Sequence, residues 1–129
     1  MRYGIDAPTA VRLVREGIQP EHQLVAPSVL RSDAMALLYA QVTRGSTSEK
    51  DARELLERLA SLKVRALGDR VSRATAWKLA REHGWDDPSE AEYIAVTKLQ
   101  ADALVTLDPE LRRRAHGLVE LADYSALLG

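Results

Sequence analysis

Residues 103–109 read ALVTLDP, and residues 2–8 read RYGIDAP. Each is a short apolar run that closes on an aspartate and reaches a proline within two residues. Such a run suits a buried strand. The junction that follows suits a helix start, because Asp accepts backbone N–H bonds at an N-cap and Pro is tolerated in the first turn. Two strand-to-helix junctions of one design, a hundred residues apart, set the reading of everything between them.

Outward from these junctions, the first strand covers 2–5, and a helix over 8–16 stops at Gly17. QLVAP (23–27) reads as a second strand. Residues 28–44 carry apolar side chains at 30, 34, 37, 38 and 42, a helical period, with Ser28 as the expected N-cap. A turn and a second amphipathic helix fill 45–62, starting at Ser46, Thr47 or Ser48. KVRAL (63–67) alternates like a strand, and residues 70–83 form a helix ended by Gly84. A helix is predicted over 85–101, a strand over 103–107, a short helix over 109–115 and a last strand over 117–121. Strands alternating with helices predict an α/β chain: a three-layer α/β/α sandwich around a mostly parallel central sheet, as one domain over 1–129.

With 46% hydrophobic and 29% charged residues over 129 positions, the composition is that of a globular protein with a real core. No run approaches the roughly 20 apolar residues of a membrane helix, and MRYGID lacks the features of a signal peptide. A cytoplasmic protein with no membrane partner is expected. The absence of Cys excludes disulfides, thiolate metal sites and a cysteine nucleophile. His22, His83 and His116 are far apart, and no HExxH, GxSxG, GxGxxG or Walker A pattern occurs. A net charge of −1 neither requires nor excludes nucleic acid.

The acids offer a different chemistry. In an open α/β sheet ligands sit beyond the carboxyl ends of the strands. Asp6 and Asp108 both occupy such ends, where each is either a helix cap or part of a shared crevice. Asp33 falls between Leu30, Ala34 and Leu37 on an apolar stripe, so its charge needs a partner, either Arg31 or Arg2 or a cation. Glu90 closes the sequence Asp87-Pro88-Ser89-Glu90, which also reads as a capping box. Asp86 and Asp87 add acids nearby. Taken together, carboxylates suit Mg²⁺ or Mn²⁺, hard ions that take oxygen ligands. Such ions can activate water and stabilise in-line displacement at phosphorus. Arg112, Arg113 and Arg114 follow Asp108 directly, as a solvated helix face or as contacts to phosphate.

At this point YGIDAP, APSVLRSDAMALLYA and LAREHGWDDPSEAEYIAVTKLQADALVTLDPEL, in this order and spacing, resemble the PIN-domain ribonucleases, in particular the VapC-type toxins of toxin–antitoxin pairs. The resemblance spans nearly the whole chain and is most specific over Leu79–Leu111. It implies a metal-dependent endoribonuclease that hydrolyses phosphodiester bonds of single-stranded RNA. Its catalytic and metal-binding acids match Asp6, Asp33, Glu90 and Asp108, with Mg²⁺ or Mn²⁺ as cofactor. Thr106 matches a hydroxyl residue that supports the acids, beside its plainer reading as a β-branched strand residue. Arg112, Arg113 and Arg114 would steer the RNA backbone. A cognate antitoxin is the implied partner, its tail lying in a groove of the early helices, where Leu37, Leu38, Leu55, Leu56 and Leu59 also read as core. A homodimer is implied as well.

Two departures stand out. The family order is Asp, Glu, Asp, Asp, whereas this chain has Asp, Asp, Glu, Asp, moving two carboxylates by roughly 1.5 Å each. Misplacement on that scale can cost about 10² in rate. A small hydroxyl residue is often found two positions after the first acid, and here that position is Pro8. The exchange supports an alternative, a catalytically impaired PIN-like domain that binds RNA or protein. A further alternative is an α/β interaction module whose acids are only caps and salt bridges.

Overall fold

A computed structural model describes residues 1–129. Its strands are β1 (Arg2–Ile5), β2 (Gln23–Pro27), β3 (Arg65–Leu67), β4 (Ala103–Val105) and β5 (Leu121–Ala122). The helices are α1 (Ala7–Glu16), α2 (Leu30–Thr43), α3 (Glu49–Ser61), α4 (Arg70–His83), α5 (Ser89–Gln100) and α6 (Pro109–Ala115), followed by a 3₁₀ turn over Tyr124–Leu128. The strands form one sheet in the order β3-β2-β1-β4-β5, and every pairing is parallel. The predicted α/β fold therefore holds, with a fully parallel sheet in place of a mostly parallel one.

The strand order places the site. From β1 the chain steps outward to β2 and β3, then returns to add β4 and β5 on the other side of β1. Parallel crossovers are right-handed, so the connections before and after this return cover opposite faces. The connections leaving β1 and β4 thus diverge, and a crevice opens beyond their carboxyl ends. Both junctions that opened the sequence reading end there, and β1 and β4 are direct neighbours, Ile5 lying against Val105.

Tyr3, Ile5, Leu24, Ala26, Leu104 and Val105 contribute strand residues to one hydrophobic core. Helix α5 is buried almost all round, with Ala91, Tyr93, Ile94, Ala95, Val96 and Thr97 covered, because it lies between the sheet and α4. That close seat depends on Gly4. A Cβ there would stand 2.0 Å from Thr97 Oγ1 and 3.1 Å from Thr97 Cβ. Side chains alternate along a strand, so the same register turns Tyr3 and Ile5 away from α5.

Local chemistry explains most helix ends. Gly17 and Gly84 close α1 and α4 with φ of 69° and 67°, the left-handed cap that glycine adopts without a Cβ penalty. Ser48 caps α3 by accepting from Asp51 N, and Asp69 caps α4 by accepting from Ser72 N. Helix α2 departs from expectation. It starts at Leu30 with Val29 at the cap position and no side-chain cap, and Ser28 instead donates its backbone N–H to Leu67 O at 2.9 Å. Ser28 thus ends the β2–β3 pairing and lies one residue before the cap position.

Strands β1 and β2 keep their expected bounds, whereas the other three strands are shorter than their apolar patterns suggest. Strand β3 is confined to 65–67, and β4 stops at Val105 because Thr106 turns its side chain toward Asp6. The last strand lies at 121–122 rather than 117–121, since Gly117 turns the chain at φ 82° and only a His116–Val119 bridge forms before it. No helix is long and apolar enough to cross a membrane.

Candidate functional site

Asp6 lies at the floor of the crevice, 2% exposed. Its Oδ1 caps α1 by accepting from Thr9 N at 3.0 Å and also accepts from Thr9 Oγ1 at 2.5 Å. Its Oδ2 accepts from the hydroxyl of Thr106, which follows β4. Both oxygens are thus fixed by short hydroxyl side chains, Oδ1 from within α1 and Oδ2 from the end of β4. Burial pushes the Asp6 carboxyl above the usual aspartate range, against the opposing pull of the Thr106 and Thr9 bonds, and the charge of Asp108 adds to the rise.

Thr9 corrects one expectation. Pro8 has no hydroxyl, but the supporting bond is present, supplied one residue later at the third helical position. A hydroxyl at that offset from an Asp cap was legible as a local pattern, though not as part of the site.

Asp108 caps α6 through Glu110 N at 2.9 Å, and its own N–H donates to Thr106 Oγ1 at 3.0 Å. Thr106 therefore links the two acids that end β1 and β4. Both aspartates are caps and crevice residues at once, so the two readings of the sequence do not compete.

Asp33 differs from its prediction. It is exposed, because the buried stripe of α2 runs through Leu30, Ala34 and Leu38 and leaves residue 33 at its edge. Neither expected arginine pairs with it. Arg31 donates to Leu59 O and Leu62 O, and Arg2 has no bond to it. The partner is the hydroxyl of Tyr93, which donates to Asp33 Oδ2 at 2.7 Å from α5. Burial and the adjacent Asp33 and Asp6 charges push the Tyr93 hydroxyl far up, so it stays protonated as a donor. Glu92 was missed. It is half-buried, and its carboxyl is pushed up first by burial and then by the charge of Asp33.

Glu90 makes no capping box. Asp87 instead accepts from Ser89 N and Ser89 Oγ, so the turn before α5 is closed without it. Glu90 Oε1 pairs with Arg114 Nη1 at 3.2 Å, while Oε2 is fully buried and has no hydrogen-bond partner. Burial raises the Glu90 carboxyl, Arg114 opposes the rise, and Asp108 and Glu110 add to it.

The three arginines are not a free basic patch. Arg112 lies 3.6 Å from Asp123, Arg113 is 2.5 Å from Glu110, and Arg114 bridges Glu90 and Glu110. Arg112 and Arg113 are exposed, so their pairs are weak, whereas Arg114 is largely covered. The early-helix leucines are core: Leu38, Leu55 and Leu59 are buried, and Leu37 and Leu56 pack against the same cluster.

Asp108 thus lies within electrostatic reach of both Asp6 and Glu90, while Asp33 of α2 lies within reach of Glu92 of α5. No group of three or more acids is drawn close enough to close around one ion. The donors nevertheless suit a hard divalent cation: all are carboxylate oxygens, and one buried oxygen of Glu90 has no other partner.

The architecture recurs in solved structures. The protein PAE2754 from Pyrobaculum aerophilum aligns with a TM-score of 0.74 at 25% identity, covering 99% of this chain and 96% of that one. A chain of VapBC-1 from nontypeable Haemophilus influenzae aligns with a TM-score of 0.58 at 14% identity, covering 97% and 99%. No protein-family model and no curated protein sequence matches the chain. The chain shares its overall α/β fold with both of these proteins.

Proposed function

We propose that this chain, read as a single PIN-like domain over 1–129, is a metal-dependent endoribonuclease acting on single-stranded RNA, the toxin of a toxin–antitoxin pair. The observation that carries this reading is the pair of carboxylates at the ends of adjacent parallel strands, Asp6 and Asp108, joined through Thr106 at the divergence of their connections. The structural likeness to a VapBC-1 chain supports the antitoxin as partner.

Asp6, Asp33, Glu90 and Asp108 would hold Mg²⁺ or Mn²⁺. A bound divalent ion supplies charge stabilisation at phosphorus. The residues of the chain do the rest. Thr9 and Thr106 fix the two oxygens of Asp6, so that its carboxylate does not rotate away. Tyr93 holds Asp33 against α5, and exposed Arg112 and Arg113 can exchange their surface acids for RNA phosphates. The exchanged acids of the second and third positions leave Asp33 short and Glu90 long, so the longer side chain is the one with a free oxygen.

The test is cleavage of single-stranded RNA by the purified chain with Mg²⁺, Mn²⁺ or EDTA, beside Asp6→Asn. Metal-dependent cutting that disappears in the variant is expected. A folded wild type that binds Mn²⁺ but cuts no RNA across a broad panel would instead favour the non-catalytic binding domain, for which the Asp33/Glu90 exchange is the specific argument.

A further inference from the structure

We infer that Arg114 is a built-in competitor of the metal: its guanidinium occupies the cation's place at Glu90, and the divalent ion must displace it. This inference rests on the proposed metal-dependent reading and assigns a role to one residue of the crevice rim. Arg114 is the only one of the three consecutive arginines whose ion pairs reach α5. Its Nη1 stands 3.2 Å from Glu90 Oε1, its Nε stands 3.0 Å from Glu110 Oε1, and its guanidinium carbon lies 5.1 Å from the centre of the Trp85 ring.

The pair is largely withdrawn from water, with side-chain exposures of 22% for Arg114 and 27% for Glu90, so it is screened less than the surface pairs beside it. It satisfies only one oxygen of the carboxylate. The other, Oε2, is buried without a partner, which costs free energy that a second ligand bond would recover. A fixed positive charge on Oε1 and an unused Oε2 are the two halves of one competition. While the arginine stays, the site repels a second cation. When an ion takes Glu90, the guanidinium keeps Glu110 and Trp85 as its remaining partners.

Arg114 is therefore a positioning residue that sets the metal affinity of the crevice. Coupling of this kind is typically about 5- to 150-fold. The experiment titrates the full chain with Mn²⁺ alone, following bound metal by calorimetry and Trp85 by fluorescence, in wild type, Arg114→Gln, Arg114→Lys and Asp6→Asn. Folding is checked by circular dichroism. Arg114→Gln is expected to bind Mn²⁺ at least about fivefold more tightly, and Arg114→Lys, which keeps the charge, to stay near wild type. A merely structural arginine would lower the affinity on removal. Equal or weaker binding by Arg114→Gln, with binding still lost in Asp6→Asn, would overturn the competition and leave the nuclease reading standing. No Mn²⁺ binding by any folded variant would overturn both.

Discussion

The floor of the crevice and its rim are held by opposite means. At the floor, Asp6 and Asp108 are each fixed as helix caps by the local chain, through Thr9 N and Glu110 N, and the Thr106 hydroxyl joins them from the end of the neighbouring strand. At the rim, Glu90 and Asp33 depend on side chains from other elements, Arg114 of α6 and Tyr93 of α5. The floor is rigid because strand ends and helix starts define it. The rim hangs on single side-chain pairs between elements, so its contacts can change without breaking a strand or a helix. In the proposed nuclease, a site that admits an ion and a substrate would use both properties, divided here between strands and helices.

Breaking the floor should have the largest effect. Thr106→Val keeps the shape of the residue but removes the hydroxyl that donates to Asp6 and accepts from Asp108 N. Loss of a partner that orients a metal ligand typically costs about 10- to 100-fold in metal affinity or activity. It also leaves two polar groups short of a partner, for which about 1–3 kcal/mol of stability is expected to be lost. Mn²⁺ titration and denaturant unfolding of the variant check the two numbers separately. A Val variant with wild-type affinity would show that Asp6 needs no orientation from β4.

The same division explains what the sequence revealed. The caps of the floor were legible because their chemistry is local: an apolar run, an Asp cap and a Pro in the first turn are adjacent letters, as are Gly17, Ser48 and Gly84 at other helix ends. The strand order β3-β2-β1-β4-β5 was not legible from any one segment, yet it is what makes Asp6 and Asp108 neighbours. The rim was misread wherever a distant residue supplied the partner. For Asp33 the sequence offers Arg31, Arg2 or a cation, and the structure supplies Tyr93, sixty residues away. Glu90 was weighed as a capping box, but Asp87 closes that turn with Ser89, leaving Glu90 to Arg114. Ser28 is not the cap because α2 starts one residue later, with Val29 before Leu30, while Ser28 still belongs to the end of the β2–β3 pairing. Glu92 escaped notice because only the packing of α2 beside α5 brings it near Asp33.

A smaller effect, of opposite sign, should follow from neutralising the floor. The folded-state pKa of Asp6 lies above its ordinary value of 3.8, chiefly through burial. Folding therefore favours the protonated form. The associated stability is fully present below pH 3.8 and is lost as pH rises through the folded value. At neutral pH the ionised, metal-free carboxylate opposes folding. Asp6→Asn retains a good N-cap residue and removes the charge. Its Tm should exceed that of wild type at pH 7 without metal, and the difference should close as pH falls below 3.8. For a chain of this size each kcal/mol moves Tm by about 4 °C. Added Mn²⁺ should raise the wild-type Tm and leave the variant unmoved, because only a state that binds the ion gains from it. A variant less stable than wild type at pH 7 would make Asp6 a net stabilising cap and would remove the electrostatic case for a cation at the floor.

The smallest expected change is at the outer rim, and it separates pairing from substrate contact. Arg113 is 71% exposed at its side chain, and its pair with Glu110 at 2.5 Å is a surface i,i+3 contact on α6. Such pairs contribute about 0–1 kcal/mol, so Arg113→Ala should unfold within about 0.5 kcal/mol of wild type. If the side chain leaves Glu110 to meet an RNA phosphate, the variant loses one phosphate contact. The slope of log affinity against log salt for a single-stranded oligonucleotide should then flatten by about 0.7. The measurement is made with EDTA present, so that binding is read without cleavage. An unchanged slope would assign Arg113 to its helix and confine RNA steering to the remaining arginines. Glu110 would then be holding two arginines, Arg113 and Arg114, for the sake of the fold rather than the substrate.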